Sequence, residues 1–208
     1  IAWKLSRSEI VSQVYVCPGN AGTFHENKVT NVDITLDQQK KIIDFVKSNQ
    51  VDLTIVGPEA PLVDGIVNKF IDKGLKIFGP SREFAELEGS KVFSKNFMSR
   101  NGIPTANYRE FNNLKDAMSY LNQIKYPSVI KADGLAAGKG VVICNEEQEA
   151  IEAIKKIFSS DHSQKLIMED FLVGQELSAI YVCNFNGPSF ETSLPWTKDY
   201  KSRDEYNS

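Results

Sequence analysis

Tyr126-Pro-Ser-Val-Ile-Lys-Ala-Asp-Gly-Leu-Ala-Ala-Gly-Lys-Gly-Val-Val-Ile-Cys144 is the stretch from which the rest of the chain can be read. Two short β-branched runs, Ser128 to Lys131 and Val141 to Cys144, bracket a loop holding Gly134, Gly138 and Gly140, the pattern of a strand, a glycine-rich loop and a second strand. Such a loop can wrap phosphate. Its glycines let the backbone approach an anion and turn N–H groups inward, while Lys131 and Lys139 add positive charge at its two ends. Spacing excludes two other phosphate loops. A Walker-type loop needs four residues before its Gly-Lys pair, then Ser or Thr and a helix; here three residues separate Gly134 from Gly138, Gly140 follows Lys139, and a strand comes next. A dinucleotide fingerprint needs a third glycine where Ile143 stands. A plain hairpin with a flexible turn is the alternative for this stretch alone. Within the first strand, Val129 and Lys131 share one face and Ile130 takes the other, so Lys131 projects from an otherwise apolar face. An ammonium there needs an anion, and the strand itself has no acidic residue. The loop's own Asp133 or a bound phosphate would serve.

Upstream, strand and helix alternate. Gln13 to Val16 reads as a strand and leads into the turn-rich Pro18-Gly-Asn-Ala-Gly-Thr23. Asp37 to Asn49 reads as a helix with Ile42, Ile43, Phe45 and Val46 on its apolar face. Val51 to Val56 is an almost wholly apolar strand ending in Gly57-Pro-Glu-Ala-Pro-Leu62, followed by a helix over about Val63 to Lys73 and a strand over Leu75 to Phe78. The alternation predicts an open parallel sheet with right-handed crossovers. Ligands of such sheets sit beyond the carboxyl ends of the strands, which makes Asn20, Gly22, Thr23, Gly57, Pro58 and Glu59 candidate substrate-loop residues. The alternative is that Gly and Pro simply end strands there. Glu59 stands out because nearby prolines restrain its loop.

Glu83 to Arg100 returns to a helical period, interrupted at Gly89-Ser90, so two helices are expected, the second capped by Ser90. Lys91 then falls in a first turn, where the helix dipole disfavours a cation, and it needs an anion or open water. Asn112 or Asn113 caps a helix to about Ile124, and Glu146 to Phe158 forms another. Leu166 to Glu169 is a strand, Asp170 to Gly174 a linker, and Glu176 to Cys183 a further strand. A strand that passes into a linker leaves backbone N–H and C=O groups able to read an adenine edge. Glu176, seven residues beyond Glu169, could accept from both hydroxyls of a ribose. Phosphate loop, adenine edge and ribose carboxylate are three parts of one nucleotide site.

With 208 residues, 41% hydrophobic and 25% charged, the chain can bury a sizeable core as one large or two small domains. Its net charge of −3 argues against nucleic acid or an anionic membrane as the main partner. No run is long enough to span a bilayer, and no signal-peptide pattern is present. Cys17, Cys144 and Cys183 are odd in number and widely spaced, suggesting neither a disulfide framework nor a zinc site. A reducing, cytoplasmic compartment is expected. Ile1 without an initiator Met and the polar run Lys201 to Ser208 both look cut.

Taken together, these motifs resemble the ATP-grasp ligases and, within them, the glycinamide ribonucleotide synthetases (phosphoribosylamine–glycine ligases) of purine biosynthesis. The resemblance runs through Pro18 to Thr23, Asp52 to Leu62, Leu75 to Pro80, Leu87 to Lys91, Lys131 to Gly140 and Glu169 to Leu172, essentially the whole chain. It implies an α/β fold: an N-terminal open parallel sheet (pre-ATP-grasp, Rossmann-like) over 1–88 with its first strand missing, followed by an ATP-grasp fold truncated at both ends. Residues 89–115 and 176–208 would belong to its central domain and 116–175 to a small α+β lid.

The resemblance further implies that Lys91 and Lys131 contact ATP phosphates and carry catalysis. Gly134, Gly138, Lys139 and Gly140 would close over the phosphates as a moving lid, with Glu169, Asp170, Phe171 and Leu172 presenting backbone to adenine and Glu176 holding the ribose. Asn20, Gly22, Thr23, Gly57, Pro58, Glu59, Asp199 and Lys201 would face glycine and 5-phosphoribosylamine. ATP with Mg2+ or Mn2+ is implied, and the family's metal-binding Glu and Asn fall beyond Ser208, so no metal ligand is expected in this chain. The implied reaction phosphorylates the glycine carboxylate and lets the amine of phosphoribosylamine displace phosphate. Partners would be small molecules, not nucleic acid or membrane, with a monomer as the default. Two departures stand out: Asp199-Tyr-Lys-Ser202 where the family often reads Asp-His-Lys-Arg, and a short connection from Ser159 to Lys165. The rival readings are another ATP-grasp carboxylate–amine ligase and a nucleotide-binding module without catalysis.

Overall fold

Helix and strand alternate from the N-terminus, as the sequence pattern predicts. The structure, a computed structural model, describes residues 1–135, 140–159, 165–184, 187–193 and 197–198, with side chains to residue 181. Its first elements are α1 (Ala2–Ser6), β1 (Val14–Val16), α2 (Ala21–Phe24), β2 (Val29–Asn31), α3 (Gln39–Ser48), β3 (Thr54–Ile55), α4 (Glu59–Val63), α5 (Ile66–Ile71) and β4 (Ile77–Phe78). β1 pairs in parallel with β2, and β3 with β4. Ile42, Ile43 and Val46 of α3 meet Ile66, Val67 and Phe70 of α5 in one apolar cluster, with Val56 and Ile77 packed against it. The helix expected over Val63 to Lys73 is α5, and the loop expected before it contains the further short helix α4. Gly65 between them has φ +78°, a left-handed backbone that ends α4 and redirects α5.

α6 (Arg82–Gly89) and α7 (Lys91–Arg100) separate at Ser90, whose Oγ accepts from Phe93 N at 3.1 Å as the Gly-Ser interruption predicts. Then come β5 (Tyr108–Phe111), α8 (Leu114–Tyr120), β6 (Ser128–Ala132), β7 (Val141–Cys144), α9 (Glu147–Phe158) and β8 (Leu166–Asp170). Asn113 caps α8 by accepting from Asp116 N at 2.9 Å. The strands form one antiparallel sheet in the order β5-β8-β6-β7, which therefore starts at Tyr108, upstream of residue 116. β6 and β7 form the expected hairpin, and Ala132 N donates to Gly140 O at 2.7 Å across the mouth of the glycine loop.

Ile130 and Ala132 of β6, Leu166 and Met168 of β8, and Cys144 of β7 pack under Ala117 and Leu121 and under Ala150, Ala153, Ile154 and Ile157 of α9. Each fully buried Leu or Ile in that layer contributes about 1.5–3 kcal/mol. This layer fixes the orientation of the whole sheet.

Contacts divide the chain into two units, Ile1–Asp170 and Phe171–Ser208. The second holds β9 (Leu177–Ser178), β10 (Tyr181–Asn184), β11 (Gly187–Ser193) and β12 (Thr197–Lys198), paired antiparallel as β10 with β11 and β9 with β12. The strand expected from Glu176 to Cys183 is thus two short strands. Gly138, Lys139, Asp199 and Lys201 lie outside the described residues, as does most of the connection from Ser159 to Lys165. Among the described residues no helix is long and apolar enough to cross a membrane.

Candidate active site

Strand alternation gives the sheet two unlike faces. With Ile130, Ala132, Leu166 and Met168 turned to the helical layer, Val129, Lys131, Ile167 and Glu169 turn the other way. That second face meets α7: Tyr108 donates its hydroxyl to Asn96 Oδ1 at 2.8 Å, and Lys95 reaches Glu169. Val129 lies opposite Glu169 in the β6–β8 register, so Lys131, two residues on, is its diagonal neighbour and within reach of a long side chain.

The counter-ion of Lys131 is therefore Glu169, on the adjacent strand, not the loop's own Asp133. Lys131 Nζ pairs with Glu169 Oε1 and Lys95 Nζ with Glu169 Oε2. Glu169 is only 6% exposed and Lys95 8%, whereas the Lys131 side chain remains 28% exposed. Lys95 also donates to Thr105 Oγ1 at 2.7 Å and to Ala106 O at 3.3 Å, and its ammonium lies 5.6 Å from the centre of the Tyr108 ring. A carboxylate buried this deeply is tolerable only because both its oxygens are paired. It is the side chain of Glu169 that meets the two lysines. Its backbone lies in a strand flanked by β5 and β6, and Asp170 N is taken by Asn107 O at 3.0 Å.

Asp133 is occupied elsewhere. Its carboxylate accepts from Ser90 Oγ at 3.1 Å and from Val92 N at 3.2 Å, so it covers the exposed amides at the start of α7. Its own N–H donates to Lys165 O at 3.0 Å. Lys91, the first residue of α7, donates from Nζ to Gly134 O at 2.7 Å. Burial pushes the Lys91 ammonium below its usual pKa; the Lys131 charge pushes the same way, while Asp133 and Glu88 oppose it. Two lysines that feel each other's charge at the entrance of a glycine loop make a positive site, one that a multiply charged anion would relieve.

In the N-terminal part, Asn20 caps α2, its Oδ1 accepting from Thr23 N at 3.0 Å while Thr23 Oγ1 accepts from Asn20 N at 2.9 Å. Asn31 on β2 holds the same turn by donating to Asn20 O at 2.9 Å and accepting from Thr23 Oγ1 at 2.7 Å. Gly22 lies inside this turn. Gly57 and Pro58 lead into α4, so Glu59 is the exposed first residue of a short helix rather than part of a loop. Among the described residues, no hydrogen bond or ion pair joins Asn20, Thr23 or Glu59 to Lys91, Lys131 or Glu169. Phe171, Leu172 and Glu176 are exposed and belong to the second unit. Lys95 escaped the sequence reading, although its three-residue offset from buried Val92 puts it on the covered side of α7.

An antiparallel four-stranded sheet with two helices on one face and a lysine-flanked glycine hairpin, preceded by parallel strand pairs, defines an ATP-grasp protein. Residues 1–88 match the family model described as Phosphoribosylglycinamide synthetase, N domain, and residues 89–206 the one described as Phosphoribosylglycinamide synthetase, ATP-grasp (A) domain. The chain belongs to the phosphoribosylglycinamide synthetase family. It is 49% identical over 186 residues to the phosphoribosylamine–glycine ligase of Clostridium acetobutylicum, covering 88% of this chain and 44% of that one. The ligase of Allochromatium vinosum is 42% identical, with 99% and 48% covered. The chain therefore spans about half the length of these relatives. The crystal structure of the Thermotoga maritima phosphoribosylamine–glycine ligase superposes with a TM-score of 0.73 at 31% identity, covering 96% of this chain and 47% of that one. An N5-carboxyaminoimidazole ribonucleotide synthetase superposes equally well, at 0.73, with 19% identity and coverage of 95% and 50%, and so supports the fold alone.

Proposed function

We propose that this chain supplies the substrate loops and the phosphate-gripping half of an ATP-dependent ligase that joins glycine to 5-phosphoribosylamine, giving glycinamide ribonucleotide, ADP and phosphate. The observation that carries the reading is the placement of Lys91 and Lys131 at the root of the glycine hairpin, one bonded to Gly134 and the other backed by buried Glu169. In the proposed chemistry the glycine carboxylate attacks the terminal phosphoryl group, ADP departs, and the amine then displaces phosphate from the glycyl phosphate. No protein nucleophile is needed. Lys91, Lys131 and the amides of the loop Gly134, Gly138, Lys139 and Gly140 would neutralise the charge gathering on the transferred group.

The remaining roles rest on the family resemblance. Asp170, Phe171 and Leu172 would serve adenine and Glu176 the ribose; Asn20, Gly22, Thr23, Gly57, Pro58, Glu59, Asp199 and Lys201 would serve the two substrates. Among the described residues no cluster of His, Cys, Asp or Glu is arranged to hold a metal, so no step is assigned to Mg2+ or Mn2+ through them. A cytoplasmic enzyme acting on small molecules fits this reading. Isothermal titration of the full-length protein with Mg·ATP, together with a glycine- and phosphoribosylamine-dependent assay of ADP release, tests it. ADP release that requires both substrates is expected. ATP binding without any dependence on glycine would leave a different ligase or a plain nucleotide-binding module.

A further inference from the structure

We propose that Lys95 is a positioning residue: by taking one oxygen of Glu169, it leaves Lys131 with net positive charge to offer to phosphate. This rests on the nucleotide reading above. All three N–H groups of Lys95 are committed, to Glu169, to Thr105 Oγ1 at 2.7 Å and to Ala106 O at 3.3 Å, and the residue is 8% exposed, so it does not reach a ligand. Burying such a charge is costly, and pairing Glu169 with Lys131 alone would already neutralise the carboxylate.

What the second lysine changes is the charge count. Glu169 and Lys131 by themselves form a neutral pair whose ammonium is drawn back onto the carboxylate. With Lys95 on Oε2 and Lys131 on Oε1, the three groups sum to +1, and the surplus resides on the more exposed member, Lys131. Among the described residues Lys131 has no other charged partner, and its field is felt at Lys91, which lies against the glycine loop. The arrangement thus aims a charge without spending it on its own counter-ion.

A lysine that only fastened α7 to the sheet would behave differently when removed. In the full-length protein, Lys95→Met should weaken ATP and ADP about tenfold or more, the scale of one charge-assisted hydrogen bond, while adenosine, which has no phosphate to meet Lys131, binds as before. Adding Glu169→Gln to Lys95→Met removes the carboxylate that would otherwise hold Lys131 in a neutral pair, and should return the ATP-to-adenosine affinity ratio towards the wild-type value. Equal losses for ATP and adenosine, or a double variant no better than the single, would overturn the inference. If Lys95→Met does not fold, the double variant alone decides by the same ratio, and if neither folds, Lys95 is structural and the inference falls. A wild-type protein that binds neither ATP nor adenosine would instead overturn the nucleotide reading on which it stands. A wild type that binds both, with Lys95→Met keeping full ATP affinity, would overturn this inference alone.

Discussion

The amine of Lys91 donates to the carbonyl of Gly134 at 2.7 Å, tying the first residue of α7 to the first glycine of the loop. Asp133 makes the reverse connection, its carboxylate covering Ser90 and Val92 at the same helix start. Helix and loop therefore share one joint built from adjacent residues on each side. A ligand that moves Gly134 must also act on α7.

Lys91 carries a pH prediction. Its folded-state pKa is lowered from the usual 10.5, chiefly by burial, so between the lowered value and 10.5 the unfolded chain binds more protons than the folded one. Stability from this group is therefore at its lowest when Lys91 is charged in both states, and rises with pH across that window. A phosphate beside Lys91 would restore the charge, so ATP binding should take up a proton in that alkaline range. Calorimetry in two buffers of different ionisation enthalpy measures it. Apparent enthalpies that differ for the wild type and coincide for Lys91→Met are expected; wild-type enthalpies that already coincide would remove Lys91 from the phosphates.

Lys131→Met should leave the fold standing, because Glu169 keeps Lys95 as a partner. In the full-length enzyme the same change should lower kcat/KM for ATP by about 3–4 kcal/mol, the scale of a lost preorganised charge contact, with the KM for glycine unchanged. Steady-state kinetics beside a thermal melt would separate the outcomes. Near-normal turnover would assign Lys131 to the sheet alone.

Gly19 has φ +82°, and a Cβ there would lie 2.2 Å from Cγ of Asn31, the residue that holds Asn20 and Thr23. Gly19→Ala should therefore lose about 1–3 kcal/mol of stability and displace the turn. If this turn faces phosphoribosylamine, the KM for that substrate should rise while the KM for ATP holds. A melting temperature equal to that of the wild type would show that the backbone there is relaxed.

The sequence pattern was most informative where period and punctuation agree. The Gly89-Ser90 break, the Asn113 cap and the β6–β7 hairpin stand where residue chemistry puts them. Val29–Asn31 and Tyr108–Phe111 carried too little alternation to read as strands, and only their pairing partners make them so. The prolines around Glu59 read as a loop although α4 forms there, and α5 begins only after Gly65, whose left-handed φ no sequence pattern announces.

At the candidate site, Lys91, Lys131 and the glycine loop stand out in the sequence because both residue type and position are unusual, whereas Lys95 does not. Nor does the Glu169 side chain. Its partners come from β6 and α7, brought together by strand register and helix packing that no local window contains. Asp133, one of the two partners open to Lys131 from the sequence, is not its counter-ion for the same reason: closeness along the chain is not closeness across a sheet.

β8 is an inner strand with Leu166 and Met168 in the helical layer and Glu169 on the opposite side. Slipping its pairing by one residue would swing the carboxylate in among Ala150 and Ile154, stripped of both ammonium groups, and push Met168 out. A lone carboxylate in that layer would cost several kcal/mol. The acid thus serves as an index mark for the sheet, penalising every odd offset, and a variant that neutralised it would lose a safeguard on strand alignment as well as a charge.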